Sequence, residues 1–308
     1  MKDRAFLART HRGSALVLVF WCILVLSLAV FAVVELVSLS VEHAAHDQLA
    51  LEAHELATSG VSIGEVPQLL GNDPLFDQTP APGRHFHVLI TDEAARLNLN
   101  YLLLTDHRDV LVNLFTIWGM KMGEAQHAAD SLYDWVTPGD LPSLNGAKAS
   151  AYADAGLPQR PSHQPFQSWH EVSLVLGMDR VEAAKPDWKD SFTLWSDGPL
   201  DVNQASAECL AALFGVEVGR VRPLVETRNG RDRIPGTPDD VPIANLATLQ
   251  GELGIGDLQM KALQNLIVLS GNVRRIESTG EAEGTRVHVS VVARLNSSPP
   301  QLLVWSER

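Results

Sequence analysis

The chain reads as an α+β protein: a long N-terminal transmembrane and stem helix, an antiparallel β-sheet, and a large inserted α-helical domain. Three observations predict this. Residues 15–34 carry no charge and lead without Gly or Pro to Gly60. Segments with strand character stand on both sides of a long middle region, near residues 85–91 and again from 273 onward. The middle region itself holds a duplicated helix–turn–helix pattern. The expected division is 1–13 as a leader, 14–60 as membrane helix and stem, 61–96 with 271–308 as the sheet, and 97–270 as the insertion.

The first element is set by the apolar run. With Ser14 it spans about 21 residues, or roughly 32 Å as a helix, enough to cross a bilayer core. Lys2, Arg4, Arg9 and Arg12 precede it against the single acid Asp3, and the first charges after it are Glu35 and Glu42. The positive-inside rule places the N-terminus in the cytoplasm and the body outside. A plain signal anchor explains this pattern. A cleaved secretory signal does not, because Val33-Val34-Glu35-Leu36 lacks the small residues of a cleavage site. A short basic leader ending in Gly and cut before the apolar run, as in type IV pilin-like proteins, fits Arg12-Gly13-Ser14-Ala15-Leu16. Beyond the membrane, Leu36, Leu39, His43, Ala44, Asp47, Leu51 and Leu56 mix at helical spacing, so the helix continues as a stem.

Residues 67–83 are rich in Pro and Gly and read as loop. His85–Thr91 alternates as a strand, and Asp92 to Arg96 reads as a turn. The insertion opens on Leu97-Asn98-Leu99-Asn100, which recurs as Leu200-Asp201-Val202-Asn203. Val110, Leu111, Leu114, Phe115 and Gly119 then lead into Ala128, Leu132 and Trp135. In the second copy Cys209, Leu210, Leu213, Phe214 and Gly215 lead into Val221, Leu224 and Val225. Each copy predicts a helical hairpin of SAM-like type, its Asn capping the first helix, within an all-α region. Long loops follow the hairpins at residues 135–160 and 229–242. Helices are expected at 246–253 and 258–269, and strands at 273–278, 285–293 and 302–305.

Composition narrows the function. The net charge is −13, and removing the basic leader leaves about −16, which repels phosphate backbones and anionic lipid. Cys22 and Cys209 form no framework, and the eleven histidines form no ligand set. No nucleophile elbow, HExxH, phosphate loop or dinucleotide fingerprint is present, so neither an enzyme nor a small-molecule substrate is indicated. Asp92-Glu93 is explained by turn chemistry. Asp134, Asp140 and Asp154 flank one loop of hard oxygen donors, and Asp232, Asp239 and Asp240 another; these are candidate calcium ligands without EF-hand spacing. Gly215-Val216-Glu217-Val218-Gly219 with the arginines after it has the outline of a DNA-binding hairpin. Glu217 in the turn and the acidic body oppose that reading, so no nucleic-acid partner is expected.

In order along the chain, the Gly13/Ser14 leader, Asp92-Glu93-Ala94-Ala95-Arg96-Leu97-Asn98-Leu99-Asn100, Leu132-Tyr133-Asp134-Trp135, Gln164-Pro165-Phe166-Gln167-Ser168-Trp169-His170-Glu171-Val172, Leu200-Asp201-Val202-Asn203 and Leu302-Leu303-Val304-Trp305 resemble the general secretion pathway protein K family. These are large minor pseudopilins of type II secretion systems. The resemblance implies a pilin fold with an inserted helical domain. It also implies cleavage between Gly13 and Ser14 by a prepilin peptidase, N-methylation of Ser14, and a place at the tip of a periplasmic pseudopilus in the inner membrane beside other minor pseudopilins. Leu18, the fifth mature residue, stands where most pilins have Glu, and suits a subunit with none ahead of it. Some members of the family bind calcium in the helical domain, but Lys148 stands where an acid is usual. A minor pilin of a type IV pilus and a membrane-anchored DNA receptor are the alternatives.

Overall fold

The computed structural model describes residues 12–69, 73–157, 160–233, 237, 239–297 and 299–307, with side chains from Leu16 onward. Most of the expected leader, residues 1–11, lies outside the described residues. Helix α1 (Arg12–Gly64) is continuous over 53 residues, passing Gly60 where the sequence suggested a stop. From Leu16 to Gln48 it is exposed, and burial begins with Ala53, Ala57 and Val61, one stripe at helical spacing.

That stripe lies on a five-stranded antiparallel sheet. Its strands are β1 (Asp77–Ala81), β2 (Arg84–Asp92), then far along the chain β7 (Val273–Ala282), β8 (Thr285–Arg294) and β9 (Gln301–Glu307), in the spatial order β1-β2-β7-β8-β9. Because β2 and β7 are neighbours, everything between Asp92 and Val273 is an excursion from the sheet. Val88, Ile276, Val289 and Val291 pack under Ala57 and Val61 to form a small core. The approach is close. A Cβ on Gly280 would collide with the Ala53 carbonyl, and one on Gly60 with Ser278. Gly280 therefore belongs within β7, which corrects the expected end of that strand at Ser278. Strand β1 is a second correction, lying in what read as loop; its Pro80 is tolerated because β1 is an edge. Glu283 and Gly284 turn β7 into β8 with positive φ at both residues, the two-residue hairpin geometry.

The excursion comprises β3 (Leu97–Asn98), α2 (Leu99–Leu104), α3 (Arg108–Ile117), α4 (Met122–Val136), α5 (Ala149–Asp154), α6 (Trp169–Ser173), α7 (Met178–Ala184), β4 (Phe192–Thr193), β5 (Leu200–Asp201), α8 (Ala207–Phe214), α9 (Val218–Arg228), α10 (Leu246–Leu253), α11 (Asp257–Leu263) and β6 (Ile267–Val268). It has its own core, in which Trp135, Phe115, Trp188 and Phe214 are fully buried. The predicted hairpins are α3–α4 and α8–α9, turned at Gly119 and Gly215, both with positive φ. The region is not purely helical as expected. Parallel pairs β3·β4 and β5·β6 close its two halves, each too short to leave an alternating pattern in the sequence.

Candidate functional site

Three features of the fold carry chemistry or surface. The first is α1 itself. From Leu16 to Val41 its large apolar side chains are exposed, and among the described residues none of its most apolar window is buried. It is long and apolar enough to cross a membrane by length and composition. Leu18 is among these exposed residues. Gly13 and Ser14 lie in the first turns of the same helix.

The second feature is the joint between sheet and excursion. Glu93 is fully buried, in a 3-10 turn that follows β2. Its Oε2 accepts from Arg275 Nε at 2.9 Å and Arg96 Nη1 at 2.9 Å, and its Oε1 from Arg275 Nη2 at 2.8 Å and Thr193 Oγ1 at 2.6 Å. Burial alone would raise its pKa; the Arg275 fork and the Arg96 charge overcome that and hold it below the ordinary value. Turn chemistry explains Asp92, whose Oδ1 accepts the Ala94 N–H at 2.7 Å, but not Glu93. Glu93 is instead the pin between β7, β4 and its own turn. Asp201 lies against Asp92 here, its Oδ1 accepting the Asn203 N–H at 2.8 Å. Burial pushes Asp201 up to about 7, against the Asn203 bond and with the help of the Asp92 charge. Among the described residues this is the most displaced carboxyl, and nothing in local sequence signals it.

The third feature is the loop after α4. Asp134 is buried, and its carboxylate accepts Ser143 N at 2.9 Å and Ser143 Oγ at 2.8 Å. Asp130 accepts Arg108 Nη1 at 2.8 Å and Asn145 N at 3.2 Å, while the Arg108 guanidinium lies 4.2 Å over the Tyr133 ring. Lys148 is 4% exposed and its Nζ donates to the carbonyls of Asp134 at 2.6 Å and Thr137 at 2.7 Å. Burial lowers its pKa, opposed by Asp134 and Asp140. Asp140 and Asp154 are exposed, the latter at the end of α5, an element the loop reading missed. The ammonium thus takes carbonyl oxygens a calcium ion would need, and Ser143 takes the Asp134 carboxylate. The donor set does not fit that ion.

The repeat asparagines are placed differently from expectation. Asn98 caps α2, its Oδ1 accepting Tyr101 N at 2.9 Å. Asn203 caps nothing, and Ser206 caps α8 instead. Asn100 and Asn203 each grip one distant residue by both backbone groups. Asn100 Nδ2 donates to Phe166 O at 2.9 Å while its Oδ1 accepts Phe166 N at 2.8 Å. Asn203 does the same with Ile243, at 3.2 Å and 2.7 Å. The arginines after Gly219 are partly engaged within the chain. Arg228 is buried and donates to the carbonyls of Val202 and Ala205, and Arg220 donates to Leu253 O at 3.4 Å. His85 and His87 lie on the open side of β2 beside Asp77, as polar-face residues should. Among the described residues no group of three or more His, Cys, Asp or Glu is placed to hold a metal ion.

Residues 95–185 match the family model described as Type II secretion system (T2SS), protein K. Over 167 residues the chain is 28% identical to Type II secretion system protein K of Pseudomonas aeruginosa, covering 51% of this chain and 48% of that protein. The alignment thus spans about half the length of this curated relative. In solved structures, a chain of the GspK-GspI-GspJ complex from the enterotoxigenic Escherichia coli type 2 secretion system matches with a TM-score of 0.63. The match has 15% identity and covers 88% of this chain and 99% of that one. The likeness in structure bears out the fold, and the resemblance to the protein K family is met by the family model and by the Pseudomonas aeruginosa relative.

Proposed function

We propose that this chain, which carries a domain of the type II secretion system protein K family, is a minor pseudopilin that starts a periplasmic pseudopilus and so contributes to protein export. One observation carries the reading: a single uninterrupted helix joins an unpartnered apolar surface at one end to a pilin-like sheet at the other. Such a surface is satisfied by lipid before assembly and by the stems of neighbouring subunits after it. Exposed Leu36, Val37, Leu39 and Val41 extend it past the span itself, where lipid no longer covers them. The partners are other minor pseudopilins. The anchor lies in the inner membrane, with the N-terminus cytoplasmic and the body periplasmic. The chain acts by assembly and not by catalysis.

In this reading a prepilin peptidase cuts between Gly13 and Ser14 and methylates the new amine of Ser14. A carboxylate at the fifth mature position pairs with the amine of the subunit ahead. The first subunit has none ahead, and an unpaired carboxylate in lipid is costly. Leu18 removes that problem. Mass spectrometry of the chain from its native membrane is the test. The expected mass corresponds to residues 14–308 plus one methyl group, and a chain still beginning at Met1 would refute the reading.

A further inference from the structure

The loop between α4 and α5 joins two properties that rarely occur together. Leu141 is 89% exposed and Leu144 96% exposed, the two most solvent-exposed large apolar side chains among the described residues. Yet the backbone between and after them is pinned. Between them Ser143 is bonded through both N–H and hydroxyl to buried Asp134. Asn145 is held by Asp130 and by a 2.6 Å contact between its carbonyl and His127 Nδ1. Thr137 O receives Lys148 Nζ, and at 2.7 Å it also meets His163 Nδ1. Pro138 and Pro142 fix their own φ angles. Gly146 has no room for a side chain, because a Cβ would run into the Asp134 carboxylate.

We propose that Leu141 and Leu144 form a preformed docking knob for a protein partner that offers an apolar pocket edged by basic side chains. The shape argues for a pocket, since a protruding pair is buried only by a concave partner. Rigidity lowers the ordering penalty on binding. Charge chooses among occupants. Exposed Asp140 adjoins Leu141, and the one cation at the base of the loop's outer side among the described contacts, Arg108, is neutralised by Asp106 and Asp130. With about −16 on the body, an anionic bilayer and a second copy of this chain would both be repelled, whereas a basic rim would be attracted. The excursion also springs from the end of the sheet remote from the membrane. Gly64, the last residue of α1, abuts Ile276 near that end, while Glu52 pairs with Arg84 at the other.

The test uses the full-length chain in its own membrane, with the photo-crosslinking residue p-benzoylphenylalanine in place of Leu141, Leu144 or, as control, Leu258, which is 88% exposed on α11. The expected result is one protein adduct shared by positions 141 and 144 and absent at 258. Binding of the purified adduct partner should fall at least about thirtyfold in the Leu141→Glu/Leu144→Glu double variant and weaken with added salt. The thermal unfolding midpoint of that variant should be unchanged, since neither side chain packs against the body. Equal labelling at 258, adducts confined to a second copy, or an adduct partner whose binding ignores the double variant would overturn the proposal. So would binding to phosphatidylglycerol–phosphatidylethanolamine vesicles that depends on these leucines. N-terminal processing is read separately by mass, so failure here is distinguishable from failure of the pseudopilin reading.

Discussion

The two halves of the excursion share a skeleton and differ in what they show to solvent. Each closes with a short parallel ladder, β3·β4 or β5·β6, and each contains one Gly-turned hairpin. In each, an asparagine three residues after the start of the ladder grips one residue far along the chain, Phe166 in the first half and Ile243 in the second. Each also buries one cation among main-chain carbonyls, but from different places. Lys148 comes from the loop after α4, whereas Arg228 is the last residue of α9. The loops then part company. The first displays Leu141 and Leu144, while among the described residues of the second Asp239 gathers a polar network, accepting Arg231 N at 2.6 Å and Thr237 Oγ1 at 2.9 Å. A repeated amide grip and a buried cation fix the frame, and the loop surface is free to diverge.

Removing the buried cations has the largest expected effect on either half. Arg228→Met should lose about 3–5 kcal/mol, because the Val202 and Ala205 carbonyls lose their donor and Asp201 loses a nearby positive charge. Lys148→Met should lose about 2–4 kcal/mol by the same logic. Urea unfolding followed by tryptophan fluorescence reads both, since Trp118, Trp135, Trp169, Trp188 and Trp195 lie in the excursion. A loss below about 1 kcal/mol for Lys148→Met would show that the two cations are not equivalents. Asn100→Ala and Asn203→Ala test the shared grip. Each should lose about 1.5–3 kcal/mol in the same assay, and clearly unequal losses would mean that only one half depends on it.

The smallest effect is a pH dependence. Asn98 in the first half stands where Asp201 stands in the second. Asp201 is raised in the folded chain, so folding takes up a proton between about pH 4, the unfolded value, and about pH 7. Its contribution therefore falls as pH rises through that window. Asp201→Asn keeps an oxygen for the Asn203 N–H and supplies a donor toward Asp92, making the second half resemble the first. It should raise stability by about 1–2 kcal/mol at pH 8 and leave it unchanged at pH 4, seen as a flattened profile of melting temperature against pH.

Much of the architecture was legible in the sequence because its signals are local. The apolar run of α1, the alternation of β2 and β8, and the Gly-marked hairpins each lie within one short window. Strand β1 was hidden by Pro80, and the length of β7 by Gly280, whose role depends on a helix more than two hundred residues earlier. The site was less legible. The duplicated asparagines were visible as a repeat, but their partners lie 66 and 40 residues away, and local reasoning assigned them to caps. Lys148 was visible as a residue out of place among acids; that it reaches the carbonyls of Asp134 and Thr137 is a property of the folded loop alone. Glu93 looked like part of a turn because its two arginines and Thr193 arrive from three different segments.

The close seating of Gly280 against Ala53 also has a mechanical meaning. With no Gly or Pro between Ser14 and Ser59, α1 transmits torsion, and the glycine contact leaves the sheet no slack about it. The azimuth at which the excursion faces outward is thereby locked to the roll of the helix in the bilayer. One residue inserted between Glu42 and Gln48 would turn the whole body by about 100° and raise it by about 1.5 Å. Stem length in this chain is a compass setting as much as a reach.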